Sequence, residues 1–170
     1  MYRTTERLLL RNIEIKDNTH YLKFVNSEYV QKYNCLSKKN IEQVNDYIER
    51  NCQNDNCIVI TRENEDVLIG VIILDEDTLR YNVNSIEISF WLAEEYTKFG
   101  YMTEALECII DYLFTEIKID SITARVFSKN TQSISLLNKL NFKKEGVLSH
   151  AIKAHNNVIY DDVLFSLNHN

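Results

Sequence analysis

Residues 85–92 read SIEISFWL, residues 93–100 AEEYTKFG, and residues 101–114 YMTEALECIIDYLF. In the first stretch Ile86, Ile88, Phe90 and Leu92 alternate with Glu87, Ser89 and Trp91, the two-residue period of a β-strand. Through the third and just past it, Met102, Ala105, Leu106, Ile109, Ile110, Leu113, Phe114 and Ile117 recur at steps of three and one, the period of an amphipathic helix. Between them lies a polar loop closed by Gly100. A strand that feeds a loop with glycine at the mouth of a helix builds an anion site. The first N–H groups of the helix have no partner within it, and the helix dipole adds attraction.

Working outward, the chain alternates strands and helices. Residues 7–15 read as a strand, Asp17 as a cap for a helix through Tyr21, Phe24 and Val25, and Ser37 as a cap for a helix carrying Ile41, Val44, Tyr47 and Ile48. Residues 57–61 and 67–74 form two apolar strands across the polar turn 63–65, and the second, apolar on both faces, belongs in the middle of its sheet. After the long helix come a strand at 121–127 and a short helix capped by Asn130. Strands at 142–148 and 160–167 close the order. This is a mixed α/β (α+β) chain.

Composition narrows the function classes. The 170 residues suit one domain, 1–170, with no repeat or linker. Lys and Arg number 19 against 25 Asp and Glu, a net charge of −6 that argues against a nucleic-acid partner. No apolar run reaches the roughly 18 residues that would cross a bilayer, and the opening residues do not read as a signal peptide, so a cytoplasmic, membrane-free protein is expected. The four cysteines form no C-x-x-C pair and have no histidine near them, so no metal site is expected. Cys108, on the apolar-periodic helix, reads as a packed thiol.

The run 99–106, FGYMTEAL, resembles the "GKGYATEAL" stretch of the GNAT superfamily of N-acetyltransferases, and more narrowly the group that acetylates ribosomal-protein alanine and serine N-termini. Other pieces stand in the same order. TERLLLR (Thr5 to Arg11) resembles the group's first strand, LIGVIIL its third and IEISFWL its fourth. The pattern Asn130, Ser133, Leu136, Leu137, Leu140, Phe142, followed by Glu145 and Gly146, is similar to its "N..S..LLEKLGF..EG", and YDDVLFSL to its last strand. Four departures stand out: Lys98 replaces the loop's first glycine, Glu94 the proline often found before it, Met102 the small residue after the tyrosine, and Asn141 the glycine of "LGF".

The resemblance implies a single acyl-CoA N-acyltransferase domain, with a mixed sheet of about seven strands flanked by helices and splayed between strands 4 and 5. It implies acetyl-CoA as cosubstrate and an amine acceptor, either a protein N-terminus or a small amine, in a monomer or homodimer. Backbone groups of Phe90, Trp91 and Leu92 would hold the pantetheine arm. Lys98, Phe99, Gly100, Tyr101, Met102 and Thr103 would hold the pyrophosphate. Asn130 and Ser133 would contact the cofactor, with a plain helix cap as the other reading of Asn130.

The acetyl-transfer reaction needs a base, an oxyanion donor and an acid. Glu87 is the candidate base and Ser133 the candidate acid for the thiolate, each with an ordinary structural role as the alternative. Tyr160 and Asp162, at the start of the last strand, are candidate acceptor contacts. His150 and His155 lie nearby in sequence without a visible partner and read as solvated or structural. The altered loop keeps a second class of function open: a CoA-binding module of the same fold with weak or no turnover.

Overall fold

The continuous apolar run at 68–74 and the alternating strand at 85–92 approach closely in the sheet where Gly70 carries no side chain. A Cβ there would meet the Trp91 carbonyl at 2.6 Å and Leu92 Cδ1 at 2.7 Å. The computed structural model describes every residue except Leu36, His155, Asn156 and Asn170. Its strands are β1 (Tyr2–Thr4), β2 (Leu8–Asn12), β3 (Cys57–Arg62), β4 (Leu68–Glu76), β5 (Ser85–Leu92), β6 (Ser121–Phe127), β7 (Lys143–Lys153) and β8 (Ile159–Asn168). The helices are α1 (Asn18–Val25), α2 (Glu28–Gln31), α3 (Ile41–Asn51), α4 (Tyr101–Tyr112) and α5 (Thr131–Lys139). The sheet is mixed and open, in the order β1-β2-β3-β4-β5-β6-β8-β7. It has eight strands rather than seven because Tyr2–Thr4 pairs with residues 9–11 ahead of the expected first strand.

The chain divides into two compact units, Met1–Leu74 with Phe90–Leu106, and Asp75–Ser89 with Glu107–Asn170. In the first, β1 to β4 form antiparallel ladders. Tyr21, Phe24 and Val25 of α1 and Val44 and Ile48 of α3 pack with Cys57, Val59, Leu68 and Val71 in its core. Beside that core, Arg11 is held by Asp17 in a two-armed ion pair at 2.8 Å on each arm, and by Asp66 at 2.7 Å. Burial opposes the arginine's charge, but these carboxylates outweigh it and raise its pKa.

In the second unit, β5 begins parallel to β6, with Ser85↔Ser121, Ile86↔Ile122 and Glu87↔Thr123 in register. The β5–β6 register runs from Ser85 to Glu87, between the strands expected as fourth and fifth. Antiparallel ladders join β6 to β8 and β8 to β7. Ile122, Ala124, Val126, Leu137, Leu140, Phe142 and Phe165 are buried.

One expected cap is corrected, and another holds its position without the expected side-chain bond. Asn40, not Ser37, caps α3, because its side chain accepts from Gln43 N at 2.8 Å while Gln43 reaches back to Asn40 N. Asp17 sits at the cap of α1 but makes no side-chain cap bond. Its carboxylate is buried and engaged by Arg11 and by Glu14 N. Ser27 caps a short additional helix, α2.

Two departures from the family pattern have a structural answer. Asn141 stands in the left-handed region at φ 65°. Its N–H bonds Asn138 O and the next N–H, of Phe142, bonds Leu137 O, a Schellman end to α5 that asparagine tolerates better than most residues. Lys98 is likewise left-handed at φ 68°, where the family pattern carries glycine.

Candidate active site

The loop between β5 and α4 starts from Ala93, whose N–H bonds Ile69 O at 2.8 Å. That bond, with the Trp91 carbonyl against Gly70, shows that residues 91 and 93 turn their backbone toward β4. By strand alternation the N–H and C=O groups of Phe90 and Leu92 point away from β4. The backbone groups suited to a pantetheine arm are therefore those of Phe90 and Leu92. Trp91 contributes its ring, set edge-on against Tyr21 at 5.6 Å.

Residues 94–96 make one 3₁₀ turn, and the chain then passes through two left-handed residues, Lys98 and Gly100 at φ 85°. Helix α4 opens with the bond from Glu104 N to Gly100 O at 3.1 Å. The N–H groups before Glu104 belong to the turn that has no acceptor within a helix. The Met102 side chain, in place of the family's small residue, is buried. The Phe99 ring is exposed and stacks on Tyr101 at 5.8 Å. Lys98 is exposed and makes no ion pair among the described residues. A left-handed loop, a cation and open helical N–H groups fit a diphosphate.

Three further residues brace this loop; they lie in the TERLLLR and FGYMTEAL stretches, but nothing in either stretch marks them as partners. Glu104 accepts from Thr5 Oγ1 at 2.5 Å, from Arg7 N at 2.9 Å and from Arg7 Nε at 2.7 Å. Arg7 Nη1 donates to Phe99 O at 2.9 Å. Burial works to raise the Glu104 pKa, but the bonds from Thr5 and Arg7 outweigh it and hold the carboxyl below its usual range. Arginine and glutamate 97 residues apart carry no periodicity that could have paired them.

In the second unit the ladders place Glu87 beside Thr123, Phe127 opposite Asp162 and, two residues along each strand, Arg125 and Tyr160. Strand alternation sets all six on one face. Arg125 Nε bonds Asp162 Oδ2 at 2.8 Å, and the Tyr160 ring stacks on Phe127 at 5.4 Å. Glu87 is half-buried. Burial raises its pKa first, Arg125 opposes that, and the carboxylates of Asp77, Asp75 and Asp162 raise it further. Asp75 is raised by burial alone.

At the start of β8, Asp162 is buried, its Oδ2 paired with Arg125 and its Oδ1 without a hydrogen-bond partner among the described residues, while Asp161 is only part-buried. Asp161 Oδ1 accepts from His150 N at 2.9 Å, and Asp162 is 1 % exposed and committed to Arg125. Asn130 is the cap of α5, accepting from Ser133 N at 3.2 Å. That bond uses the side-chain oxygen and leaves the amide N–H₂ as a donor. His155 lies outside the described residues.

An open mixed sheet with a strand, a left-handed loop and a helix mouth suited to a diphosphate defines a CoA-dependent acyltransferase fold. The chain belongs to the GNAT acetyltransferase family: residues 7–143 match the family model described as "Acetyltransferase (GNAT) domain". It is 33 % identical over 172 residues to the "Uncharacterized N-acetyltransferase p20" of Bacillus licheniformis, across 96 % of this chain and 93 % of that protein. Its fold matches the ribosomal-protein-S5-alanine acetyltransferase of Vibrio fischeri with a TM-score of 0.85 at 21 % identity, covering 99 % and 96 % of the two chains. It also matches the microcin C7 self-immunity acetyltransferase MccE, solved with acetyl-CoA and AMP, with a TM-score of 0.82 at 20 % identity over 97 % and 94 %. The protein is an acyltransferase.

Proposed function

We propose that this protein transfers the acetyl group of acetyl-CoA to an amine, with Glu87 taking the amine's proton. The observation that carries the reading is the loop 98–103, whose left-handed Lys98 and Gly100 lead into the unpaired first turn of α4. Acetyl-CoA supplies the activated acetyl thioester. Lys98 and the backbone of Phe99 to Thr103 bind its diphosphate, and the Phe90 and Leu92 backbone bonds its pantetheine amides. Asn130 uses its amide on the same arm, and Ser133 supplies a proton to the leaving thiolate.

Glu87 suits the base role because a half-buried carboxyl with a raised pKa holds a proton better than an exposed one. Arg125 keeps it ionisable and Asp162 fixes Arg125. Tyr160, on the same face, is the acceptor contact this arrangement leaves available. The net negative charge around Glu87 favours an acceptor that arrives as an ammonium, from a protein N-terminus or a small amine.

Calorimetry and thermal unfolding with acetyl-CoA, followed by mass detection of acetyl transfer over N-terminal peptides and small amines, test the reading. Binding should raise Tm by mass action, and Gly100→Asp should abolish the shift by setting a negative charge at the diphosphate. An unchanged shift in Gly100→Asp would place the diphosphate elsewhere. Tight binding with no transfer to any amine would favour a CoA-binding module instead.

A further inference from the structure

The loop 98–103 is not held by its own residues. Its geometry is set from the turn between β1 and β2, where Arg7 reaches across to it. Arg7 meets Glu104 with two guanidinium nitrogens, Nε at 2.7 Å and Nη2 at 2.6 Å, while Nη1 bonds Phe99 O at 2.9 Å. Its guanidinium carbon lies 4.9 Å from the Tyr101 ring centre, and Nη2 lies 3.4 Å from where a Cβ on Gly100 would stand. Thr5 Oγ1 locks the same carboxylate at 2.5 Å.

Two consequences follow from elementary geometry and charge. The peptide joining Phe99 to Gly100 is planar and trans, so its C=O and N–H point in opposite directions. Holding Phe99 O on Arg7 therefore turns the Gly100 N–H away from Arg7. Glu104 lies in the first turn of α4, where an unpaired carboxylate would repel a phosphate arriving at the same N–H groups. The two-armed ion pair cancels that charge.

We infer that Arg7 is a positioning residue for the diphosphate of acetyl-CoA: it aims the Gly100 N–H through the Phe99 carbonyl and neutralises Glu104 beside the anion. This rests on the proposed use of loop 98–103, and it adds a contribution from outside that loop. Arg7 makes the loop competent without being required to touch the phosphates. Lysine cannot replace it, because one ammonium has no planar fork to span a carboxylate and a carbonyl together.

The test titrates acetyl-CoA into wild type, Arg7→Lys, Arg7→Ala and the double variant Arg7→Ala/Glu104→Gln by calorimetry. Steady-state rates are then taken with acetyl-CoA and with S-acetylpantetheine, a donor lacking the diphosphate. Arg7→Ala should raise Kd for acetyl-CoA about 10- to 100-fold, the range expected for losing a hydrogen-bonded charged group. Arg7→Lys should lose part of that affinity while keeping its fold. The double variant should recover part of the loss, since the orphaned carboxylate goes too. KM for acetyl-CoA should rise with little change in kcat, and kcat/KM for S-acetylpantetheine should stay at the wild-type value.

An unchanged Kd in both Arg7→Ala and Arg7→Lys would overturn the inference. An equal loss with both donors would do the same, because it would report general damage. Should wild type itself fail to bind acetyl-CoA, the proposed use of the loop fails before any variant is compared.

Discussion

Glu87 shows how one residue can be kept at a cost to the fold. Its raised pKa means that the folded protein prefers the protonated form, so ionised Glu87 weakens the native state near neutral pH. Glu87→Gln should therefore raise Tm at pH 7 and lower kcat about 10²–10⁴-fold, with partial recovery at high pH where the amine loses its own proton. Ser133→Ala should lower kcat without that alkaline recovery. Equal kcat for wild type and Glu87→Gln across the neutral range would remove Glu87 from the mechanism. Lys98 poses a similar opposition, since a left-handed backbone costs a side chain of its kind about 1 kcal/mol. Lys98→Gly relieves that strain and deletes the cation. Calorimetry should show weaker acetyl-CoA binding, with an unfolding midpoint no lower than wild type; unchanged affinity would make Lys98 a solvated residue.

At the scale of elements, the fit of β4 to β5 depends on a missing side chain. Gly70→Ala would press a methyl against the Trp91 carbonyl, and backbone cannot swing aside as a flexible side chain can. Overpacking of this kind costs about 1–3 kcal/mol, so Tm should fall by roughly 4–8 °C if the cost is about 2 kcal/mol. Affinity for acetyl-CoA should fall as well, because Phe90 and Leu92 lie on the displaced strand. A Gly70→Ala protein with wild-type Tm and affinity would show that β4 and β5 tolerate a wider spacing. Most elements were legible in the chain, because β5, β6 and α4 carry strong periodicities. The helix caps were less so. Ser37 and Asn40 are both good capping residues, and the choice fell to Asn40 because Gln43 completes its reciprocal pair. The strand Tyr2–Thr4 is too short for a period to register, and it exists because β2 offers it an edge.

Across the whole molecule, carboxylates divide by partner. Glu104, Asp66 and Asp77 have lowered pKa values. For Glu104 and Asp77, burial resists ionisation and hydrogen bonds overcome it; for Asp66, the bond from Lys16 leads. A carboxyl whose folded pKa lies below its unfolded value stabilises the protein above the ordinary carboxylate range, near pH 4. That stability disappears as the pH falls through the folded pKa. Urea midpoints should accordingly decline from pH 5 toward pH 3, and Glu104→Gln should flatten part of that decline. An identical decline in Glu104→Gln would mean that its ion pair contributes no pH-dependent stability.

What the amino-acid order determined by itself was whatever short-range pattern can encode. It determined the alternation of strands and helices, the glycine at the mouth of α4, the capping asparagine of α5, and the motif order from TERLLLR to YDDVLFSL that marks the family. These depend on neighbours a few residues apart, where periodicity and backbone preference act directly. Tertiary structure decided the partners. It tied Arg7 to Glu104 and Phe99, enclosed Arg11 between Asp17 and Asp66, and turned Asp162 from a candidate greeter of cations into the anchor of Arg125. Apart from Arg11 and Asp17, six positions apart, these pairings join residues tens of positions apart, and a charge in the sequence carries no mark of the opposite charge that folding will bring beside it.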